Sequence, residues 1–135
     1  MKDDPVWVER ELVDELHSEQ LEKHGGADGV RDVGLLDSAM NRPRQLFAYA
    51  DPTPDIPTLA ACYAYGIARN HAFVDGNKRT AFFVASDFLD QNGYELQAAV
   101  DQEHADMMVE LAQGKMTRAD AAAHLRTYSI KTSAT

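Results

Sequence analysis

The segment His71–Thr80, HAFVDGNKRT, gathers an imidazole, a carboxylate, a carboxamide, an ammonium and a guanidinium around a single glycine. His71 supplies an imidazole, which could take a proton from an attacking hydroxyl. Asp75 supplies the kind of oxygen ligand that Mg²⁺ takes beside phosphates. Gly76 lets the backbone turn tightly and approach a ligand. Asn77, Lys78 and Arg79 then place donors on the first turn of a following helix, where unpaired N–H groups and the macrodipole already favour an anion. Cations at a helix N-terminus cost roughly 0.3–1 kcal/mol each, a cost that a bound polyanion removes. Taken singly, each residue also has a purely structural reading: His71 as a helix C-cap, Asp75 as an N-terminal cap, Lys78 and Arg79 as a solvated face. Taken together around a glycine turn, with Phe73 as the apolar anchor, they describe a phosphate clamp.

A clamp needs rigid elements on both sides, and the pattern is helical nearly throughout. Thr58–Asn70, mostly small or apolar, predicts a helix buried on most sides, and Asn77–Gln91 predicts a second, carrying Phe82, Phe83, Val84, Phe88 and Leu89. Trp7–His24 predicts an amphipathic helix ended by Gly25–Gly26. Ala27–Gly34 reads as a loop, and Leu35–Ala50 as a helix that Pro43 should end or kink. Asp51–Pro57 is a proline-rich connector. Asp101–Gln113 and Thr117–Tyr128 complete the set, with Asp101 as an N-cap and Thr117 with Asp120 as a capping box. Strand signals are weak. Short extended pieces near Ala27–Asp32 or Tyr94–Gln97 allow one hairpin, so the expected class is all-α: one compact bundle of about six helices over residues 5–128, followed by a loose tail over 129–135.

Bulk properties narrow the function classes. The 135 residues suffice for one domain with a real core. A net charge of −9 disfavours general nucleic-acid binding, so an anion site must be built from a few focused cations. Cys62 stands alone in an apolar stretch and reads as a buried small hydrophobe rather than half of a disulfide. No apolar run approaches the roughly 20 residues of a membrane span, and the N-terminal stretch lacks a secretory apolar region. The expected setting is cytoplasmic, without a membrane partner. His17, His24, His104 and His124 share no metal-ligand spacing and read as surface histidines. Phe82, Phe83, Phe88, Tyr63 and Tyr65 read as helix–helix core, and Trp7 as a core or edge anchor.

The segment HAFVDGNKRT resembles the signature of the Fic/Doc superfamily, His-x-Phe-x-(Asp/Glu)-(Gly/Ala)-Asn-(Gly/Lys)-Arg, and Lys78 matches its death-on-curing (Doc) branch. His24–Gly26, Arg31–Arg44 and Leu59–Arg69 also resemble Doc segments, so the likeness covers about residues 5 to 128. Fic proteins generally transfer AMP from ATP to a protein hydroxyl. Doc proteins bind the nucleotide reversed and act as protein kinases on a threonine of elongation factor Tu, as toxins silenced by an antitoxin helix packed on the active-site cleft. The resemblance implies ATP as substrate with Mg²⁺, a target protein and an antitoxin as partners, His71 as general base, and Asp75 as metal ligand and target-orienting group. It implies Asn77 and Arg79 as nucleotide-phosphate ligands, with Gly76 and Lys78 completing the nest. Arg69 is a weaker candidate for a phosphate contact.

Departures from the pattern carry information. AMP-transferring relatives often have a second arginine where this chain has Phe82. Together with Lys78 in place of glycine, that favours the Doc mode, while Ala72 in place of proline should matter little. Ser18–Lys23 only approximates the self-inhibitory Fic helix, so regulation is expected from a separate chain. The loop Gly25–Leu36 would correspond to the flap that holds a target segment in extended form, although a plain connector has the same composition. Two other readings keep the fold: AMP transfer at the same site, and a non-catalytic domain that binds a nucleotide or a partner helix.

Overall fold

In the computed structural model, which describes residues 3–99 and 102–132, a central helix is enclosed by its neighbours. That helix, α3 (Ile56–Asn70), buries residues on nearly every side and packs against α2 (Val33–Tyr49), α4 (Asn77–Gln91) and α6 (Arg118–Tyr128). Its small residues allow close approach: a Cβ placed on Gly66 would lie 3.2 Å from Ala39 Cβ on α2. α1 (Arg10–His24) lies against α4, and α5 (Glu103–Ala112) packs on α3 and α4. The six helices are those expected. Among the described residues no helix is long and apolar enough to cross a membrane.

Local chemistry fixes the ends. Asp32 accepts a hydrogen bond from Leu35 N–H at 3.0 Å, Asp55 from Thr58 N–H at 3.0 Å, and Thr117 Oγ1 from Asp120 N–H at 3.0 Å. α1 starts later than the pattern suggests. Trp7 and Val8 precede the helix instead; Val8 is buried and its N–H donates to the Tyr63 hydroxyl at 3.2 Å, while Trp7 stacks on Phe88 and meets Phe47 edge-on.

Of the two outcomes expected of Pro43, an end or a kink, the end does not occur: α2 runs on through it. Leu36, Ala39, Pro43 and Phe47 form one buried stripe, and packing of that stripe carries the helix through the ladder bond that proline lacks. The segment expected to be a loose tail is also different in its first residues. Ser129–Lys131 forms strand β2, antiparallel to β1 (Tyr94–Leu96), in the register Tyr94↔Lys131, Glu95↔Ile130 and Leu96↔Ser129. Bonds from Gln97 N–H to Tyr128 O and from Thr132 N–H to Gly93 O extend the pairing. The extended piece near Tyr94 thus exists, but its partner is the distant C-terminal segment rather than a hairpin neighbour. Residues 133–135 and the expected cap Asp101 lie outside the described residues.

Candidate active site

The segment His71–Gly76 connects α3 to α4, and the part of the expected flap Gly25–Leu36 that precedes α2 is laced to it. Arg31 and Asp32 N–H both donate to Ala72 O, at 2.7 and 3.0 Å, and Val74 N–H donates to Gly29 O at 3.0 Å. Val30 and Phe73 form an isolated antiparallel bridge. The loop is therefore more than a plain connector, since its backbone is paired with the chemistry-bearing segment.

His71 occupies the left-handed region, at φ 49° and ψ 46°, as the C-cap of α3. A non-glycine residue there costs about 1–2 kcal/mol and persists only where its surroundings impose it. Arg31 does so: its Nε and Nη2 both donate to the His71 carbonyl. The residue is solvent-exposed. Arg31 was seen in the sequence only as part of a family-like segment, and nothing local marks it as the holder of His71.

Phe73 is buried as expected, and Asn77 closes the turn around it. Asn77 Oδ1 accepts from Phe73 N–H at 3.0 Å while its Nδ2 donates to Phe73 O at 2.9 Å. The side chain of Asn77, itself buried, is committed to the backbone rather than extended towards a ligand. Asp75 is exposed, and its Oδ2 accepts from the flap, from Ala27 N–H at 2.7 Å. Gly76 is the N-cap of α4 at φ 79°, with no side-chain cap on the helix. Among the described residues the N–H groups of Gly76, Asn77, Lys78 and Arg79 have no acceptor, and the side chains of Lys78 and Arg79 are exposed without a carboxylate partner. Backbone amides, a helix dipole and two cations converge on one spot.

That spot opens into a cleft of about 750 Å³, within the range of small-molecule sites. Asp75, Gly76, Asn77, Lys78 and Arg79 line one side; Phe82, Phe83, His104, Met108 and Val109 are among the residues of the others. Phe83, 39% exposed, is cleft lining rather than core, whereas Phe82 is half-buried and packs against the core as expected while also facing the cleft. His71 stands at the start of the same loop but is not among the lining residues. Arg69 is placed elsewhere: its Nη1 donates to Ala112 O at 3.2 Å, at the end of α5, and it does not line the cleft. Among the described residues no three His, Cys, Asp or Glu side chains cluster as a metal site.

Three histidines differ from the surface reading. His17 is buried, with its ring stacked on Phe73 at 3.8 Å. His104 and His124 are partly buried and bonded to each other, Nδ1 to Nε2, at 2.8 Å. His104 Nε2 lies 2.8 Å from Gln97 O, which can only accept, so Nε2 carries the proton and, in the neutral pair, Nδ1 accepts from His124. Burial and then the neighbouring His104 push His124 below its ordinary value. His24 is exposed, as expected. Cys62 is buried, and burial pushes its thiol up.

Comparison with known proteins bears on what this cleft is. The Fic/DOC family pattern matches residues 7–89, more than half of the chain. The chain belongs to the Fic/DOC family. The match runs from the segment before α1 through most of α4 and contains the whole His71–Thr80 segment. Two relatives carry Doc names. "Toxin Doc" of Mycolicibacterium smegmatis is 47% identical over 89 residues, covering 65% of this chain and 68% of that protein. "Protein kinase doc" of Escherichia phage P1 is 35% identical over 111 residues, covering 82% of this chain and 86% of its own. Within the Fic/DOC family the chain therefore sits with the Doc branch, as the resemblance implied.

Proposed function

We propose that this Fic/DOC chain is a toxin of the Doc type, a cytoplasmic protein kinase that transfers the γ-phosphoryl group of ATP to a Ser or Thr hydroxyl of a target protein. Elongation factor Tu is the proposed target, and translation the process blocked. The observation that carries the reading is the uncapped start of α4, where, among the described residues, the amides from Gly76 to Arg79 and the cations of Lys78 and Arg79 are unpaired at the mouth of one cleft. The names of the two relatives support the toxin and kinase parts of it.

In this reading the triphosphate lies on the α4 amides, and Lys78 and Arg79 neutralise its charge. The donors are held in place before the ligand arrives, which is how positioning and electrostatics supply most of the rate in phosphoryl transfer. The target hydroxyl attacks the γ-phosphorus and forms the new P–O bond. The bond from that phosphorus to the β–γ bridging oxygen breaks, ADP leaves, and His71 accepts the hydroxyl proton. The free edge of the flap would hold the target segment extended. Asp75 fits a shared Mg²⁺: it is exposed, only its Oδ2 is engaged, and one carboxylate plus substrate phosphates is a usual Mg²⁺ environment. When bound, that ion would neutralise charge on the phosphate oxygens. A separate antitoxin chain is the proposed regulator.

AMP transfer is the second reading, because the same amides could hold the nucleotide in the opposite sense. Phe82 on the cleft lining, where AMP-transferring relatives often carry an arginine, favours the kinase. Incubation of the purified chain with cell extract and ATP labelled at either the γ- or the α-phosphate decides between them. The kinase reading expects protein-bound label from γ only. Label from α only supports AMP transfer, and no protein-bound label from either contradicts both.

A further inference from the structure

The anion nest at the start of α4 has a support that lies outside the motif, on α1. His17 is 4% exposed, and its ring stacks on Phe73 with the planes 15° apart. Its Nε2 lies 2.8 Å from Asp75 O. A carbonyl oxygen can only accept, so Nε2 carries the proton and donates. The Asp75–Gly76 bond is not among the cis peptides of the chain, and in a trans peptide the C=O and the following N–H point in opposite directions. Drawing the Asp75 carbonyl down onto His17 therefore turns the Gly76 N–H away from α1. Gly76 lines the cleft, and that N–H has no acceptor among the described residues.

From this geometry we infer that His17 is a positioning residue for the nucleotide site: by holding the Asp75 carbonyl it adds the Gly76 amide to the donors that receive a phosphate. Without the bond, the flexible glycine peptide could rotate and offer the ligand an oxygen in place of an N–H. The stacking on Phe73 fixes the imidazole plane, so the donor direction is set by two contacts on the same loop. The side chain reaches Gly76 itself as well, since a Cβ there would lie 3.5 Å from His17 Cδ2. The inference rests on the proposed triphosphate site, and its test separates the two.

In the native chain, amide resonances are followed as Mg²⁺ and ATP are added together. The expected result is a saturable shift of the Gly76 amide together with those of Asn77, Lys78 and Arg79. Movement of the other three with Gly76 unmoved overturns the role of His17 while leaving the site; movement of none overturns the site itself. Two variants extend the test. His17→Phe keeps a ring on Phe73 but lacks the donor, and should weaken ATP binding about tenfold, the size of one lost hydrogen bond to a charged group. His17→Gln restores an N–H donor and should recover most of the loss. A folded His17→Phe that binds ATP as tightly as the parent, or a His17→Gln as weak as His17→Phe, contradicts the inference. Should His17→Phe not fold, the native-chain titration alone decides.

Discussion

The carboxamide of Asn77 makes both of its hydrogen bonds to one residue: Phe73 N–H donates to Oδ1 and Phe73 O accepts from Nδ2. These bonds close the turn between α3 and α4 in a buried setting, where an orphaned polar group is expensive. Asn77→Ala should lower the unfolding free energy by about 1–3 kcal/mol, the cost of leaving such groups unpaired, and should remove transfer activity because the nest loses its shape. Urea denaturation checks the first part. Unchanged stability would mean that the turn holds without this side chain.

Lys78 and Arg79 should behave in the opposite way. Among the described residues they are unpaired cations at a helix start, so replacing either with alanine should leave stability unchanged or raise it by a few tenths of a kcal/mol. ATP affinity should fall about tenfold or more for each, in line with roughly 1.5–3 kcal/mol for a hydrogen bond to a charged group. Calorimetric titration at two salt concentrations should also show a smaller salt dependence in the variants. Equal affinity in all three proteins would place the phosphates elsewhere.

Arg31 and His71 should be separable from nucleotide binding. Arg31 touches the His71 backbone, and neither lines the cleft. His71→Ala should cut transfer by about 10²–10⁴-fold, the usual worth of a general base, with ATP affinity and melting temperature held, since the residue is exposed. Arg31→Ala should reduce turnover less severely and leave the affinity for ATP in place. A fall in ATP affinity as large as the fall in turnover would argue against these roles.

The His104–His124 pair makes the cleft wall sensitive to acid. Burial and His104 depress the pKa of His124, so the fold favours its neutral form. That contribution is present above the ordinary imidazole value, about pH 6.5, and is lost as pH falls below it towards the depressed folded value. Melting temperature should therefore drop as pH falls below about 6.5, and the drop should be smaller in His124→Phe. A parent and a variant with the same profile over that window would remove His124 as the cause.

Much of this arrangement was legible in the sequence because it is local. The span of α4 follows from its apolar pattern and from the glycine before it, and the uncapped, cationic first turn can be read directly from Gly76 to Arg79. What was not legible depends on contacts across the chain. His17 lies one turn beyond Val13 on the buried stripe that continues to Gln20, which is the only sequence hint of its burial; its partner is 58 positions away. Arg31 reaches a carbonyl 40 positions on. That Pro43 does not end α2 has a related reason, since the buried stripe around it carries the helix on. Arg69 has the residue type of a phosphate ligand, but its direction is set by the end of α5.

A crystal structure of the chain with Mg²⁺ and a non-hydrolysable ATP analogue would test the central claim most directly. The account predicts triphosphate oxygens within hydrogen-bonding distance of the backbone amides at the start of α4, near the Lys78 and Arg79 side chains, with the His71 imidazole facing the terminal phosphate. A triphosphate seated away from that helix start, or an imidazole turned from it, would contradict the account.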